Sequence, residues 1–391
     1  MNRIPAGPAR SGQVGLTLIE LMLSIVIGLV VVGTVTYLYV GSRGAYRGNE
    51  SLARIQEAGR FGLDAIARDV RRAGGLGCGS SASVATGGAI AINVIARPPA
   101  GATPAALTVN ANTPVQGYSP AAYIPLPTTA PTAWPALPAG APAYRGGDVL
   151  QLQVAYGAPV RVIGNADTTG ATIPIADNSA SNFRTGDYAV LANCSAATIF
   201  QVSSVAAGPT APQALLGYAV GTAAAGGNGS VGGGVPSLSL PQQPGFAFDS
   251  YSTVQHFDQV TYYVGTVPNS VSAAFPSGLP ALYRYSARNG TVEELVENIE
   301  DMDIVFGINN SPMVLEHAGL MGPTDWQNVV SVRVSLMAVG DQLGAAAAAL
   351  AIPFRTDPTQ ANQSALLAWN APDTRLRQVF TATAAMRDRL N

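Results

Sequence analysis

Charged residues make up only 11% of this 391-residue chain, and the formal net charge is -2. No basic footprint is present, which argues against a nucleic-acid partner. Histidine occurs twice, as His256 and His317, and neither has a cysteine or an acid nearby at ligand spacing. Core packing or surface exposure explains both better than catalysis or metal binding does. There is no Gly-x-Ser-x-Gly elbow, no His-Glu-x-x-His helix and no phosphate-binding P-loop, so nothing points to an enzyme, a cofactor or a metal. Gly227-Asn228-Gly229-Ser230-Val231-Gly232 spells GxGxxG. It neither follows a convincing strand nor opens a helix, and it reads as a low-complexity coincidence.

Cysteine is equally sparse. Cys78 and Cys194 are the only two, and two thiolates cannot complete a metal site alone. Two free thiols or one disulfide remain. The 43 glycines and 28 prolines, with many Ala, Ser and Thr, suggest a loop-rich β protein exported from the cytosol. In an oxidising compartment a Cys78–Cys194 bridge is the simplest outcome. It would close a long loop and contribute about 2–4 kcal/mol.

What is present begins at Gly15-Leu16-Thr17-Leu18-Ile19-Glu20, followed by Leu21 to Val40 without a single charge. At about 1.5 Å per residue, such a run crosses a bilayer core of ~30 Å as one helix. A carboxylate in hydrocarbon is costly unless paired, so Glu20 is a functional candidate. Upstream, Met1 to Gly15 is polar, with Arg3 and Arg10 as its charges. An ordinary secretory signal is cut after its apolar run, beside small residues, and nothing beyond Val40 demands that.

This order of residues resembles the class III signal of type IV pilins, in which a membrane aspartyl peptidase cuts on the cytoplasmic side of the span. Gly15 matches the last leader residue, Leu16 the new N-terminus and Glu20 the fifth residue of the mature chain. The family usually has Phe at the new terminus, and Leu16 departs mildly. The resemblance implies that the apolar helix is retained, that Leu16 is N-methylated, and that Glu20 meets the α-ammonium of a neighbouring subunit. A buried pair of that kind specifies register more than it stabilises. A plain signal anchor with Glu20 near the headgroups is the competing reading.

Proline is absent between Pro8 and Pro98, so the helix can continue past the membrane. Leu52, Ile55, Gly59, Leu63, Ile66 and Val70 recur at spacings of three and four, which is one helix face. Arg54, Arg60, Asp64, Arg68 and Asp69 fall mostly on other faces. Arg71 and Arg72 suit the last turn, and Gly74-Gly75 ends the helix. Gly28, Gly33, Gly41, Gly44 and Gly48 each weaken helical propensity by about 1 kcal/mol relative to Ala, marking places to bend or melt. Many major pilins carry a proline where Tyr37 stands here, so proline-linked melting does not carry over.

Beyond the helix the pattern turns to strands. They are expected at Asp148–Tyr156, Val254–Val267, Met302–Ile308, Val329–Val339 and Gln378–Met386. A hairpin of Tyr188–Asn193 and Thr198–Val205 carries Cys194 at its turn. Ala281–Ser286 and Thr291–Val296 flank Asn289-Gly290, a strong hairpin signal. Ser80 to Tyr144 reads as loops and short strands. Ala206 to Gly234 reads as a mobile loop, and Asp341 to Pro372 as an Ala-rich insertion ending in loop. The expected fold is α+β and type IV pilin-like. It has a leader over 1–15, a long helix over 16–75 with its membrane span near 18–40, and an antiparallel β head over 76–391. Low-complexity insertions fall near 80–145, 206–245 and 341–372.

Scattered motifs narrow the resemblance. They are Arg68-Asp69-Val70-Arg71-Arg72-Ala73-Gly74 running to Gly77-Cys78; Ala192-Asn193-Cys194 with Ile199-Phe200-Gln201-Val202; Leu282-Tyr283-Arg284; Leu295 to Met302; Val332-Arg333-Val334-Ser335-Leu336; and Arg377-Gln378-Val379-Phe380 to Arg387-Asp388-Arg389-Leu390. Together they resemble the PilW family of minor pilins. That resemblance implies a subunit processed by prepilin peptidase, held in the inner membrane with its head in the periplasm and then placed at the pilus tip. Implied partners are other minor pilins, the major pilin, a large tip adhesin and the inner-membrane assembly platform, and the downstream roles are twitching motility and adhesion. A minor pseudopilin (J-type) of a type II secretion system shares the signal and the helix. A membrane-anchored lectin or adhesin is the alternative of another class.

Two clusters bear on that last alternative. Glu297, Glu300, Asp301 and Asp303 offer oxygen ligands of the kind calcium takes, but a solvated rim on a helix-to-strand connection is the better reading. Tyr262, Tyr263, Tyr283 and Tyr285 would make a sugar-binding platform if exposed, and cross-strand packing is the commoner explanation.

Overall fold

The computed structural model describes residues 17–76, 79–80, 91–97, 113–120, 130–131, 134, 137–166, 171–179, 181–221, 227–229, 248–272, 275–309, 314–346, 348–356 and 366–386. The chain divides into two compact units, Met1–Ser51 and Leu52–Asn391. Helix α1 spans Leu18–Arg72.

In the first unit the stretch 18–40 of the helix carries no charge but Glu20 and is apolar all round. From Leu18 to Val40 its large hydrophobic side chains are 53–79% exposed, and its length and composition suffice to cross a membrane. The helix continues through Gly28, Gly33, Gly41, Gly44 and Gly48 without a break. A Cβ at any of these five would meet nothing within 4 Å, so no tertiary packing requires glycine there.

In the second unit the same helix becomes one-sided, as the three-and-four spacing predicts. Ile55, Leu63, Ile66 and Val70 are buried in the largest core cluster. Leu52, expected on this face, is instead 39% exposed. Gly62 lets the helix lie close to the sheets, because a Cβ there would sit 2.9 Å from Leu336 Cδ1 and 3.2 Å from Leu282 Cδ2. Gly74 adopts φ +78, the left-handed conformation that ends helices. Its N–H then donates to Gln153 O at 3.2 Å, so the chain leaves the helix directly onto a sheet.

That sheet has eight strands. They are β1 (Ala91–Val94), β2 (Val115–Tyr118), β3 (Tyr144–Arg161), β4 (Tyr188–Ala192), β5 (Ala196–Gln201), β6 (Thr253–Thr266), β7 (Pro280–Ser286) and β8 (Thr291–Glu297). β6 is its spine, pairing with β3 along one edge and with β4 and β7 along the other. All pairings are antiparallel except β1 with β5. A second, four-stranded sheet follows: β9 (Ile299–Ile308), β10 (Val314–His317), β11 (Val329–Val339) and, after a hairpin of β12 (Ala351–Thr356) with β13 (Leu366–Asn370), β14 (Arg377–Ala385). Its order is β10-β9-β11-β14. Leu150, Leu152, Val260, Tyr262 and Leu282 from one sheet, and Met302, Ile304, Phe306 and Leu336 from the other, meet the helix in one core. Burying each such side chain contributes about 1.5–3 kcal/mol.

The long helix and the antiparallel β head agree with the expected α+β class. The Asn289-Gly290 hairpin forms, with Gly290 at φ +62. The Tyr188 hairpin also forms, as β4 and β5, and carries Cys194 in its turn.

Three expectations need correction. Part of the stretch Ala206 to Gly234, read as a loop, is paired: Ser204–Ala207 with Ala214–Gly217, which pairs in turn with Thr172–Ile175. Backbone ladders do not depend on side-chain size, and the fully buried Leu216 and Ile173 supply the anchor. Part of the stretch Asp341 to Pro372 is the β12–β13 hairpin, held by Phe354 and Trp369 packing on Met337. His317, read as loop, lies in β10 opposite Val305.

Candidate functional site

Gly15 and Leu16 lie outside the described residues, as do Cys78 and Arg387-Asp388-Arg389. Glu20 sits in the first turn of α1. Thr17 caps that turn: its Oγ1 accepts from Glu20 N at 3.4 Å and donates to Glu20 Oε2 at 3.4 Å. The acid occupies the helix end where negative charge is favoured. It stands on the surface of an otherwise apolar segment whose large side chains are more than half exposed. By length and composition the helix is apolar enough to cross a membrane.

Farther along the helix, Asp69 clamps it to the head. Its Oδ2 accepts from Tyr262 Oη at 2.7 Å and from Arg284 Nε at 3.2 Å. These partners come from β6 and β7, so one carboxylate joins the helix to two neighbouring strands. Tyr262, Tyr263, Tyr283 and Tyr285 are all at least 96% buried. Tyr263 and Tyr283 stack with ring centroids 5.5 Å apart. They are cross-strand packing, and burial removes them as a sugar platform.

The acidic cluster is not a solvated rim. Glu297 is exposed, but Glu300, Asp301 and Asp303 are buried on β9. Each has a partner that the sequence spacing hides. Arg377 Nε donates to Glu300 Oε2 at 2.6 Å. Arg355 from β12 pairs with Asp301. Thr356 Oγ1 lies 2.9 and 3.0 Å from the two oxygens of Asp303.

Asp148 from β3 reaches this strand from the other sheet. Its Oδ2 accepts the N–H of Ile304 at 2.8 Å and lies 3.0 Å from His317 Nε2. β10 covers β9 only from Val305 onward, so Asp148 stands where a strand carbonyl would have been. Burial alone would raise the pKa of Asp148, but His317 outweighs it and holds the carboxyl low. Burial likewise pushes His317 down, and Asp148 more than restores it, so the imidazole is held above its ordinary value. Burial raises Asp301 to about 6. Burial and the neighbouring Asp148 charge raise Asp303 to about 7.

Asp148, Asp303 and His317 each bring a ligand atom within 4.8 Å of the others. Their donors suit a divalent ion. Yet Asp148 and His317 are bonded to each other, and Asp303 to Thr356, so the geometry is complete as a brace between the two sheets.

The other singled-out positions are structural. His256 is buried in β6, with Nε2 2.7 Å from Ser181 O. In the GxGxxG stretch, buried Asn228 bridges to β5: its Oδ1 accepts from Gln201 N and its Nδ2 donates to Gln201 O, both at 2.7 Å. Sequence reasoning missed the roles of Asp148, Arg145 and Arg355, since a lone acid or arginine in a strand carries no motif; Arg377 stands in a quoted motif, but its partners Glu300 and Asp373 do not show in sequence.

Comparison with curated proteins finds no match, and comparison with solved structures finds none either. One family model does match, over the last strands of the first sheet and the whole of the second. Residues 261–388 are similar to PilW, Type IV Pilus-assembly protein W, which ties this part of the head to type IV pilus assembly.

Proposed function

We propose that the chain is a minor pilin of the type IV pilus. Prepilin peptidase removes residues 1–15, and Leu16 becomes the N-methylated terminus. The helix anchors the protein in the inner membrane with its head in the periplasm until assembly draws it into the pilus. The protein has no catalytic role. It primes assembly within a tip complex of minor pilins, next to the major pilin and below a large adhesin, and so supports twitching motility and adhesion. Glu20 sets register against a neighbouring α-ammonium, and a Cys78–Cys194 disulfide braces the head.

The observation that carries this reading is the joint occurrence of two features. One is an exposed, membrane-length helix with a single acid in its first turn. The other is a head whose C-terminal part matches a pilus-assembly family. A lectin reading loses its aromatic platform, because those four tyrosines are buried.

N-terminal sequencing of protein from cells that contain the peptidase is the test. The mature chain should begin at Leu16, and Gly15→Leu should leave only precursor. A chain beginning at Met1, or beyond Val40, would overturn the reading. Gene deletion separates the pilus from a secretion system: twitching should be lost while type II secretion is unchanged.

A further inference from the structure

Beside the second sheet lies a cavity of about 290 Å³, lined by Arg145, Phe275, Ser277, Glu300, Asp373 and Arg375 among others. Arg145, in β3, is 7% exposed and Arg375 5%. The chain's 21 basic residues are all arginine, so the cations here cannot shed charge by losing a proton.

Among the described residues the charges around the cavity do not balance. Arg377 bridges both acids, meeting Glu300 Oε2 at 2.6 Å and Asp373 Oδ1 at 2.7 Å. Arg375 Nε adds a looser pair with Asp373 Oδ2 at 3.4 Å. Asp301, which also acts on Arg145, is already paired with Arg355. Among the described residues three guanidiniums therefore face two carboxylates, and Arg145 is the surplus. Its Nη1 donates to two carbonyls, Ser277 O at 3.0 Å and Gly278 O at 3.1 Å. Its Nε is buried without a hydrogen-bond partner, and no acid pairs with it among the described residues. A buried cation with an unused donor is costly unless something negative reaches it. Arg375 also stacks on Phe275, its guanidinium carbon 3.8 Å from the ring centroid, which gives the cavity an apolar side.

We propose that this cavity is a binding site for a single carboxylate group, taken by the free N–H of Arg145 with Arg375 as the second cation. One surplus positive charge matches a monoanion and falls short of a phosphate or sulfate dianion. Guanidinium donors suit the planar carboxylate. The carboxylate comes either from a free small acid or from a polypeptide, as a C-terminus or an acidic side chain.

Isothermal titration of the full-length protein in detergent at pH 7 tests this. The probes are sodium acetate, N-acetyl-Ala-Ala with a free C-terminus, its amide, and sodium sulfate at matched ionic strength. The two acids should bind saturably, and the amide and sulfate should not. Tighter binding of the peptide acid than of acetate assigns the polypeptide source, and the reverse assigns the free acid. Arg145→Met, with an unchanged near-ultraviolet spectrum, should weaken binding by about tenfold or more. If that variant does not fold, Arg375→Gln should weaken binding in the same direction. Saturable binding of the amide or sulfate equal to that of the acid overturns the proposal. So does the absence of saturable heat with both acids, or an unchanged affinity in the folded variants.

Discussion

Replacing Gly147 with alanine tests how the two sheets are joined. Gly147 precedes Asp148 in β3 and has φ +84. A Cβ there would lie 2.7 Å from Asp301 Oδ1, 2.8 Å from Met302 N and 2.9 Å from Met302 O. Two of those atoms are backbone and cannot swing away. The left-handed conformation costs an alanine about 1–2 kcal/mol. Forcing a methyl against a packed strand costs about 1–3 kcal/mol more. Reduced freedom of the unfolded chain offsets about 0.4–1 kcal/mol. The net expectation is a loss of about 1–4.5 kcal/mol.

Gly140 supplies the control. It has a similar φ of +83, yet a Cβ there meets nothing within 4 Å. Gly140→Ala therefore carries the backbone cost without the collision, and the difference between the variants isolates the strand contact. Urea unfolding of the full-length protein in detergent, followed by tryptophan fluorescence, gives both numbers. Trp326 is a suitable reporter, 8% exposed and edge-on to Phe306 at 4.9 Å. Equal shifts of the midpoint at equal slope would refute the close approach of β3 to β9.

Three further outcomes follow from the same geometry. Asp303 has its folded pKa raised to about 7 from 3.8, so its contribution is fully present below pH ~4 and is lost as pH rises through 7, by at most ~4 kcal/mol. Asp303→Asn should flatten that decline in urea midpoints measured from pH 5 to pH 8, and parallel slopes in the two proteins would contradict the assignment. Asp69→Ala strands the buried Tyr262 hydroxyl and the Arg284 guanidinium, and should cost about 2–4 kcal/mol; a loss under ~0.5 kcal/mol would mean the clamp is idle. Glu20→Gln should leave cleavage and membrane insertion intact yet lower recovery in sheared pili by roughly tenfold, and normal recovery would remove Glu20 from register setting.

Much of the architecture was legible in the residues because it follows local periods. The helix face of Ile55, Leu63, Ile66 and Val70 shows in the three-and-four spacing, and β6 and β11 show in their β-branched and aromatic runs. The acids of β9 look like a solvated rim in sequence for a physical reason. A register shift between Ile299 and Asp301 breaks the two-residue alternation, and the strand is buried along its whole length. Alternation marks a strand with one wet face; a strand covered on both faces, with its charges paired internally, resembles an exposed acidic rim in sequence. The partners are remote as well: His317 lies 169 residues from Asp148, and Arg355 lies 54 from Asp301.

Arg284, Arg355 and Arg377 are spent on Asp69, Asp301 and Glu300, pairs that fix where strands meet and that lose more when one partner is removed than they gain by existing. The helix changes character along its length: apolar all round but for Glu20 over 18–40, and apolar on one stripe in the second unit. An all-round apolar helix is stable only inside lipid or among similar helices, whereas a stripe belongs on a protein core. One continuous run of helical residues that meets both conditions is what the minor-pilin proposal requires. The pilus-assembly match covers residues 261–388 and Glu20 lies in the first turn of α1, so the proposal joins two independent observations.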